Sequence, residues 1–350
     1  MGTIRLAIAG VGNCASALIQ GIEYYRQEQN SVGLLFPEIG GYKPQDVEVV
    51  AAFDIDERKV GKDISEAIQA EPNNTEKLAD VPKKNVVVEL GEVHDGVPPH
   101  LQKYVKQKSG KVAEVGAILR EREVDVFINL IPTGSAQASR YYARQGIEAG
   151  VGFVNGIPEL IVSGTEFGEL AEKSGIPMVG DDFKSQLGAT IVNRSLVKLF
   201  VDRGVKLDYG YQLNYAGNTD FVNLVFRGET KHVTKAASVK SLLPYDVDFS
   251  TGFAYVENQN DRKTARIELK GRKWGGAAVR VSVELDVNDS ADAAGVMIDM
   301  IRCAKLALDR KIAGPLISVS SYYAKHPPKQ YPDEQSKRML EEFIRGERDH

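Results

Sequence analysis

Ile4-Arg5-Leu6-Ala7-Ile8-Ala9-Gly10-Val11-Gly12-Asn13-Cys14-Ala15 begins as an apolar run and passes directly into a glycine-rich turn. Apolar residues then recur at helical spacing, at Ala17, Leu18, Ile19 and Ile22. A strand, G-x-G-x-x-A and a helix in that order read as a dinucleotide-binding β–α turn. Gly10 allows the tight turn, Gly12 lets a pyrophosphate approach the backbone, and Ala15 permits close packing of helix on strand.

Val47-Glu48-Val49-Val50-Ala51-Ala52-Phe53 reads as a second strand that ends at Asp54 and Asp56. A carboxylate there accepts hydrogen bonds from adenosine ribose hydroxyls and repels a 2′-phosphate, which favours NAD over NADP. The usual interval from glycine loop to acidic residue is about 20 positions. Here a segment rich in Gly, Gln and Pro, Tyr24 to Asp46, lengthens it. Asp63 is a second candidate for the same ribose, and either residue can equally be read as a solvated turn carboxylate.

Three more strands follow the same alternation. Val124 to Ile131 is closed by Pro132-Thr133-Gly134-Ser135 before a helix that holds Tyr141 and Tyr142; Val151 to Gly156 and Ile176 to Val179 are the others. Strands alternating with helices predict an α/β fold with a parallel, doubly wound sheet, its ligand at the carboxyl ends of the strands. That edge should gather Gly12, Asp54, Thr133, Asn155 and Lys184. Between the last strand and a helix over Ala189–Phe200 lies Gly180-Asp181-Asp182-Phe183-Lys184-Ser185-Gln186-Leu187-Gly188. A strand-to-helix junction suits an anion. In this reading Asp181 and Asp182 set the position of Lys184, while Ser185 and Gln186 face the phosphate.

From Leu207 the pattern changes. Tyr209–Tyr215, Thr264–Leu269 and Val279–Leu285 alternate with period two, which predicts a second α+β domain with an open, mainly antiparallel sheet. Polar groups cluster at its strand ends: Gly217-Asn218-Thr219-Asp220, Lys231 with Lys235, Asp261-Arg262-Lys263, and Lys325 after Tyr322-Tyr323. The polar end from Pro327 reads as a loop and a final helix.

Composition narrows the partners. The chain has 350 residues, enough for two domains, and a formal charge of −4 without a long basic block, which argues against nucleic-acid or membrane-surface binding. Cys14 and Cys303 are its two cysteines, far apart and outside any C-x-x-C, and its five histidines lack close ligand spacing, so no metal site is predicted. No apolar run approaches the roughly 18 residues of a membrane span, and no signal-peptide pattern precedes the first strand; a cytoplasmic location is expected.

These motifs, in this order and over essentially the whole chain, resemble the inositol-1-phosphate synthases (myo-inositol-3-phosphate synthases in the alternative numbering), most closely the short bacterial type. The resemblance rests on Gly10–Ser16, Ala52–Asp56, Glu71-Pro72-Asn73-Asn74-Thr75 and the Gly180–Thr190 segment. It extends to Gly217–Asp220, Lys231 with Lys235, Asp261–Lys263, Asp289-Ser290 and Tyr323-Ala324-Lys325. It implies an NAD-binding Rossmann-like domain over 1–185, a catalytic and tetramerising sheet over 186–295, a segment 296–350 that completes the first domain, and a homotetramer. The implied reaction isomerises glucose 6-phosphate: NAD oxidises C5, the ketone acidifies C6, an intramolecular aldol joins C6 to C1, and the hydride returns.

The same resemblance implies roles. Lys231, Lys263 and Lys325 are catalytic lysines, Lys184 lies near the reacting carbons, and Asp289 orients a lysine. Lys235 and the Ser185-Gln186 backbone bind the phosphate; Asn218 and Asp220 position substrate hydroxyls. The cofactor would meet Gly10, Gly12, Asn13, Cys14 and Ala15 at the loop. It would meet Asp54 or Asp63 at the ribose, and Thr133, Tyr142, Asp182, Ser185, Asp220 and Lys231 further along. Clustered ammonium groups suit this chemistry, in which ketone, enolate and alkoxide oxygens all gain negative charge. Two departures stand out: Ala15 and Ser16 replace the richer Gly/Asn loop of the eukaryotic type, and Leu187-Gly188 interrupts its phosphate segment. Two rival readings use the same glycine loop, an NAD-dependent dehydrogenase of a hydroxy or amino acid that releases NADH, and a nucleotide-binding regulatory protein without chemistry.

Overall fold

A computed structural model describes residues 2–28, 30–227 and 242–350. Lys231 and Lys235 fall outside the described residues. The first sheet has seven strands, all parallel, in the order β11-β6-β5-β4-β1-β2-β3. They are β1 (Ile4–Ala9), β2 (Val47–Asp54), β3 (Val88–Leu90), β4 (Val126–Asn129), β5 (Gly152–Asn155), β6 (Pro177–Val179) and β11 (Gly314–Pro315). Helix α1 (Asn13–Gln27) covers one face; α3 (Val115–Glu121), α4 (Ala136–Glu148) and α5 (Thr165–Ser174) cover the other, after a single-turn α2 (Ile64–Ala67). Strand order reverses between β1 and β4, so the loops leaving these two strands part and open a crevice.

The second sheet follows α6 (Ala189–Asp202). Its order is β10-β9-β7-β8, from β7 (Lys206–Ala216), β8 (Asp248–Tyr255), β9 (Arg262–Arg272) and β10 (Ala278–Asn288). Strands β7, β9 and β10 pair antiparallel as expected, but β8 lies parallel to β7. The reason is α7 (Thr219–Arg227), which the period-two reading did not register: neighbouring parallel strands need a crossover, and this helix begins one.

After β10 the chain goes back to the first sheet. Helix α8 (Ala291–Asp309) packs against α1 and the sheet, and is buried along most of its length, in keeping with its Ala, Met and Ile content. Strand β11 then pairs with β6, and α9 (Ile317–Tyr323) and α10 (Asp333–Arg345) finish the layer. Among the described residues, no helix is long and apolar enough to cross a membrane.

One buried cation holds this return. The Arg302 side chain is 0 % exposed and donates to the carbonyls of Phe36, Pro37 and Tyr42 at 2.8, 3.1 and 3.1 Å. It also pairs with Asp299, whose other oxygen accepts the Tyr323 hydroxyl at 2.7 Å. Arg302 thus ties the long loop after α1 to α8. Replacing it with Met leaves Asp299 and three carbonyls buried without their donor, a change that costs about 3–5 kcal/mol. Chemical denaturation of Arg302→Met should show a loss of that size; a loss below about 1 kcal/mol would mean that the network contributes little.

Candidate functional site

The crevice between β1 and β4 deepens into a cavity of about 320 Å³ bordered by both sheets. Its floor is the glycine loop. Gly10 has φ +88°, and a Cβ there would lie 2.7 Å from the Leu130 carbonyl oxygen, so no larger residue fits. A Cβ on Gly12 would meet nothing within 4 Å, leaving open room over the backbone. Helix α1 starts at Asn13 with no side-chain cap from Gly12 and no acidic residue in its first turn. An uncapped helix start beneath open space suits the pyrophosphate of a dinucleotide. Ala15 is fully buried behind the loop and supports it rather than bordering the cavity.

Asp54 borders the cavity and fixes the loop. Its Oδ2 accepts the Val11 N–H at 2.8 Å, and its Oδ1 accepts those of Ile55 and Asp56 at 2.7 and 2.8 Å. Beneath it lies Lys59, a residue that the sequence reading missed. Lys59 is 4 % exposed and donates from Nζ to the Val11 carbonyl at 2.8 Å and to Asn73 Oδ1 at 2.9 Å. Asp63, the other ribose candidate, is not at the cavity: it caps α2 by accepting the Ser65 N–H and also takes N–H groups of Lys84 and Val86. Those bonds hold its carboxyl below the usual range against the opposing effect of burial, which is the largest single influence. A capping role replaces the ribose reading there. Tyr142 and Thr133 do border the cavity, Tyr142 from among Phe53 and Phe127. Thr133 donates to Asp220 Oδ1 at 3.3 Å, and its carbonyl accepts from Asn223 of α7 at 2.6 Å.

Two lysine–carboxylate pairs open on the same cavity. Lys263 at the start of β9 is hydrogen-bonded to Asp289, just before α8. Lys325, after α9, donates to Asp182 Oδ1 at 2.7 Å, and its backbone N–H donates to the Asp182 carbonyl at 2.7 Å. Cys14, Ser185, Asn218 and Asp220 also border this space. Burial, with Asp261 next in effect, pushes the Cys14 thiol up to about 12, so it stays protonated near neutral pH.

The acidic junction is assigned differently from the sequence reading. Asp181 does not orient Lys184: it is 0 % exposed and accepts the N–H groups of Ile161, Val162 and Ser163 as well as the Asn155 amide at 2.7 Å. Asn155 is buried in that same knot, behind the cavity rather than on it. Lys184 turns away as well, donating to the carbonyls of Ser321 and Tyr322 at 3.0 and 2.9 Å, with Asp333 at 3.9 Å. Burial lowers its pKa to about 8. Lys184 therefore ties down the segment that carries Lys325 and does not itself reach the cavity. Gln186 is exposed and does not border the cavity, and its N–H donates to the Asp292 carbonyl at 2.7 Å. Asp182 lies in the left-handed region at φ 59°, which turns the chain between these neighbours and separates their side chains.

The sequence reading placed Asp261 in a polar cluster but gave it no role; it is 2 % exposed beside the Lys263–Asp289 pair. It lies two residues from a lysine that was singled out, but its partners are distant in sequence: Asn13, Asn218 and Ser290. Only the folded chain reveals it.

Residues 188–290 match the family model described as myo-inositol-1-phosphate synthase. An inositol-3-phosphate synthase of Mycolicibacterium smegmatis is 44% identical over 358 residues, covering 99% of this chain and 99% of that protein. The crystal structure of Ari2 superposes with a TM-score of 0.82 at 34% identity, covering 98% of this chain and 99% of that one. A myo-inositol-1-phosphate synthase-related protein from Thermotoga maritima gives 0.80 at 25% identity, covering 98% of both chains. The match in sequence is nearly full-length, and the glycine loop and lysine pairs meet in one cavity: the chain belongs to the inositol-3-phosphate synthase family.

Proposed function

We propose that the protein converts D-glucose 6-phosphate into 1D-myo-inositol 3-phosphate with NAD as a catalytic cofactor, the step that supplies inositol for phosphatidylinositol synthesis. The observation that carries this reading is the presence of both lysine–carboxylate pairs on the cavity that the glycine loop floors. When bound, NAD accepts a hydride from C5 of the sugar and gives it back after ring closure. The backbone around Gly12, Asn13 and Cys14 would hold the pyrophosphate, and Asp54 would accept the ribose hydroxyls. A 2′-phosphate would meet the same carboxylate, which favours NAD.

The chain's own residues answer the chemistry that follows. Lys263 and Lys325 would donate hydrogen bonds to the oxygens that become negative in the enolate and in the aldol alkoxide, inside a cavity that limits water. Asp289 and Asp182 hold these ammonium groups in place, so little reorganisation is needed when charge develops. Asn218 and Asp220 would orient hydroxyls, and Ser185 would approach the phosphate. Lys231 and Lys235 belong to the same proposal as the remaining lysines of the set. A homotetramer in the cytoplasm, and domain limits near residues 185 and 295, also belong to it. The dehydrogenase reading accounts for the glycine loop but not for the paired lysines.

Two experiments test the reading. Incubation with NAD and glucose 6-phosphate should give inositol phosphate without accumulation of NADH; one NADH released per sugar consumed would contradict it in favour of a dehydrogenase. Lys263→Ala should lower kcat by about 10²–10⁴-fold while the Kd for NAD changes by less than about threefold. A variant that retained full turnover would remove Lys263 from the mechanism.

A further inference from the structure

We infer that Asp261 is a positioning residue for this reaction: it ties the glycine loop to the lysine-bearing sheet and so sets the cofactor pocket against the Lys263–Asp289 pair. The inference rests on the function proposed above. Its basis is a bond network with Asp261 at the centre. Asp261 Oδ1 accepts the Asn13 amide at 3.1 Å, the Asn218 amide at 2.9 Å and the Ser290 hydroxyl at 3.1 Å, and Oδ2 accepts the Ser290 N–H at 3.3 Å. Its carbonyl accepts the Asp289 N–H at 2.9 Å. Asn13 opens α1 beneath the cofactor site, Asn218 lies between β7 and α7, and Ser290 immediately precedes α8.

A second strap runs in parallel. Asn74 exchanges two bonds with Asn13, at 2.8 and 2.9 Å, and donates to the Gly217 carbonyl at 3.1 Å. Asn74 thus fixes the loop to β7, while Asp261 fixes it to β9 and α8, where the catalytic pair stands. Asn218 touches both acids, since its amide also lies 3.4 Å from Asp289 Oδ2.

The arrangement is sensitive to protonation. All the hydrogen-bond partners of the Asp261 carboxylate named here are donors, so a proton on it weakens it as an acceptor and loosens the strap. The titratable groups that act on it are Asp289 before α8 and Cys14 on the glycine loop; behind them, Lys263 pairs with Asp289, and Asp220 on α7 acts on Cys14. Burial, then the charge of Asp289, raises Asp261 to about 6. Its ionised form therefore dominates above that pH, and the strap weakens as pH falls through it.

The test measures NAD affinity of the intact protein by calorimetry between about pH 5 and pH 8, for wild type and Asp261→Asn. The wild-type Kd should weaken by about tenfold toward acid, and Asp261→Asn should bind with the wild type's acid-side affinity at every pH. Its kcat at pH 8 should fall by about 10–100-fold, with a smaller change in KM. Should Asp261→Asn fail to fold, Asn13→Ala, which removes the bonds to both Asp261 and Asn74, should abolish the pH dependence, whereas Asn74→Ala, which leaves the bond to Asp261, should keep it. A variant with wild-type Kd and kcat across this range would overturn the inference. The binding arm needs no turnover: a protein that binds NAD in this pH-dependent way but makes no inositol phosphate contradicts the proposed function and leaves the strap standing.

Discussion

Gly10 lies against the Leu130–Ile131 peptide with no room for a side chain between them, and the remaining architecture grows from that contact. It brings the ends of β1 and β4 together while their onward chains diverge, one into α1 and the other toward Pro132-Thr133. The crevice between them becomes a cavity only because Asp54 pins the Val11 N–H and Lys59 holds the Val11 carbonyl from below. A loop fixed from both sides keeps its next N–H groups in place for an anion, which is the electrostatic preparation that a helix start provides.

The second sheet supplies Lys263 and the segment after α9 supplies Lys325, and carboxylates hold both. Asp289 comes from the junction of β10 and α8, and Asp182 from the junction of β6 and α6, so the two ammonium groups are anchored to opposite walls. The C-terminal part of the chain contributes to both walls at once. Helix α8 starts beside Asp289 and packs along α1, and α9 leads to Lys325 while Lys184 grips the carbonyls of its last turn. Packing of the first core and placement of the paired lysines are therefore one structural problem, with Arg302 at its buried centre.

Local patterns in the sequence were sufficient for the elements built from contiguous residues. Strand β1, the glycine loop and α1 follow from adjacent positions, as do β2 and Asp54, and the period-two strands β7, β9 and β10. Strands β3, β8 and β11 were not read: three and two residues carry no period for β3 and β11, and β6, as short as β3, was read only from its place ahead of the Gly180 junction. Within Gly180–Gly188 the residue types indicated a polar junction, but their partners did not follow. Asp181 bonds the turn at Ile161–Ser163, Asp182 reaches Lys325, and Lys184 faces the segment before it. Asp63 was a second candidate for the ribose beside Asp54, and the fold uses it as a helix cap. Asp261 shows the same limit from the other side, since a buried acid takes its meaning from groups that lie over two hundred residues away, as Asn13 does.

The central claim is that a single hydride leaves and returns within one cavity, between the glycine loop and the paired lysines. Glucose 6-phosphate deuterated at C5, turned over with unlabelled NAD, tests it most directly. Mass spectrometry of the inositol phosphate should find the deuterium retained on the carbon from which it came, with none in the nicotinamide recovered at the end. Label lost to water, or left in the cofactor pool in proportion to product, would contradict the account.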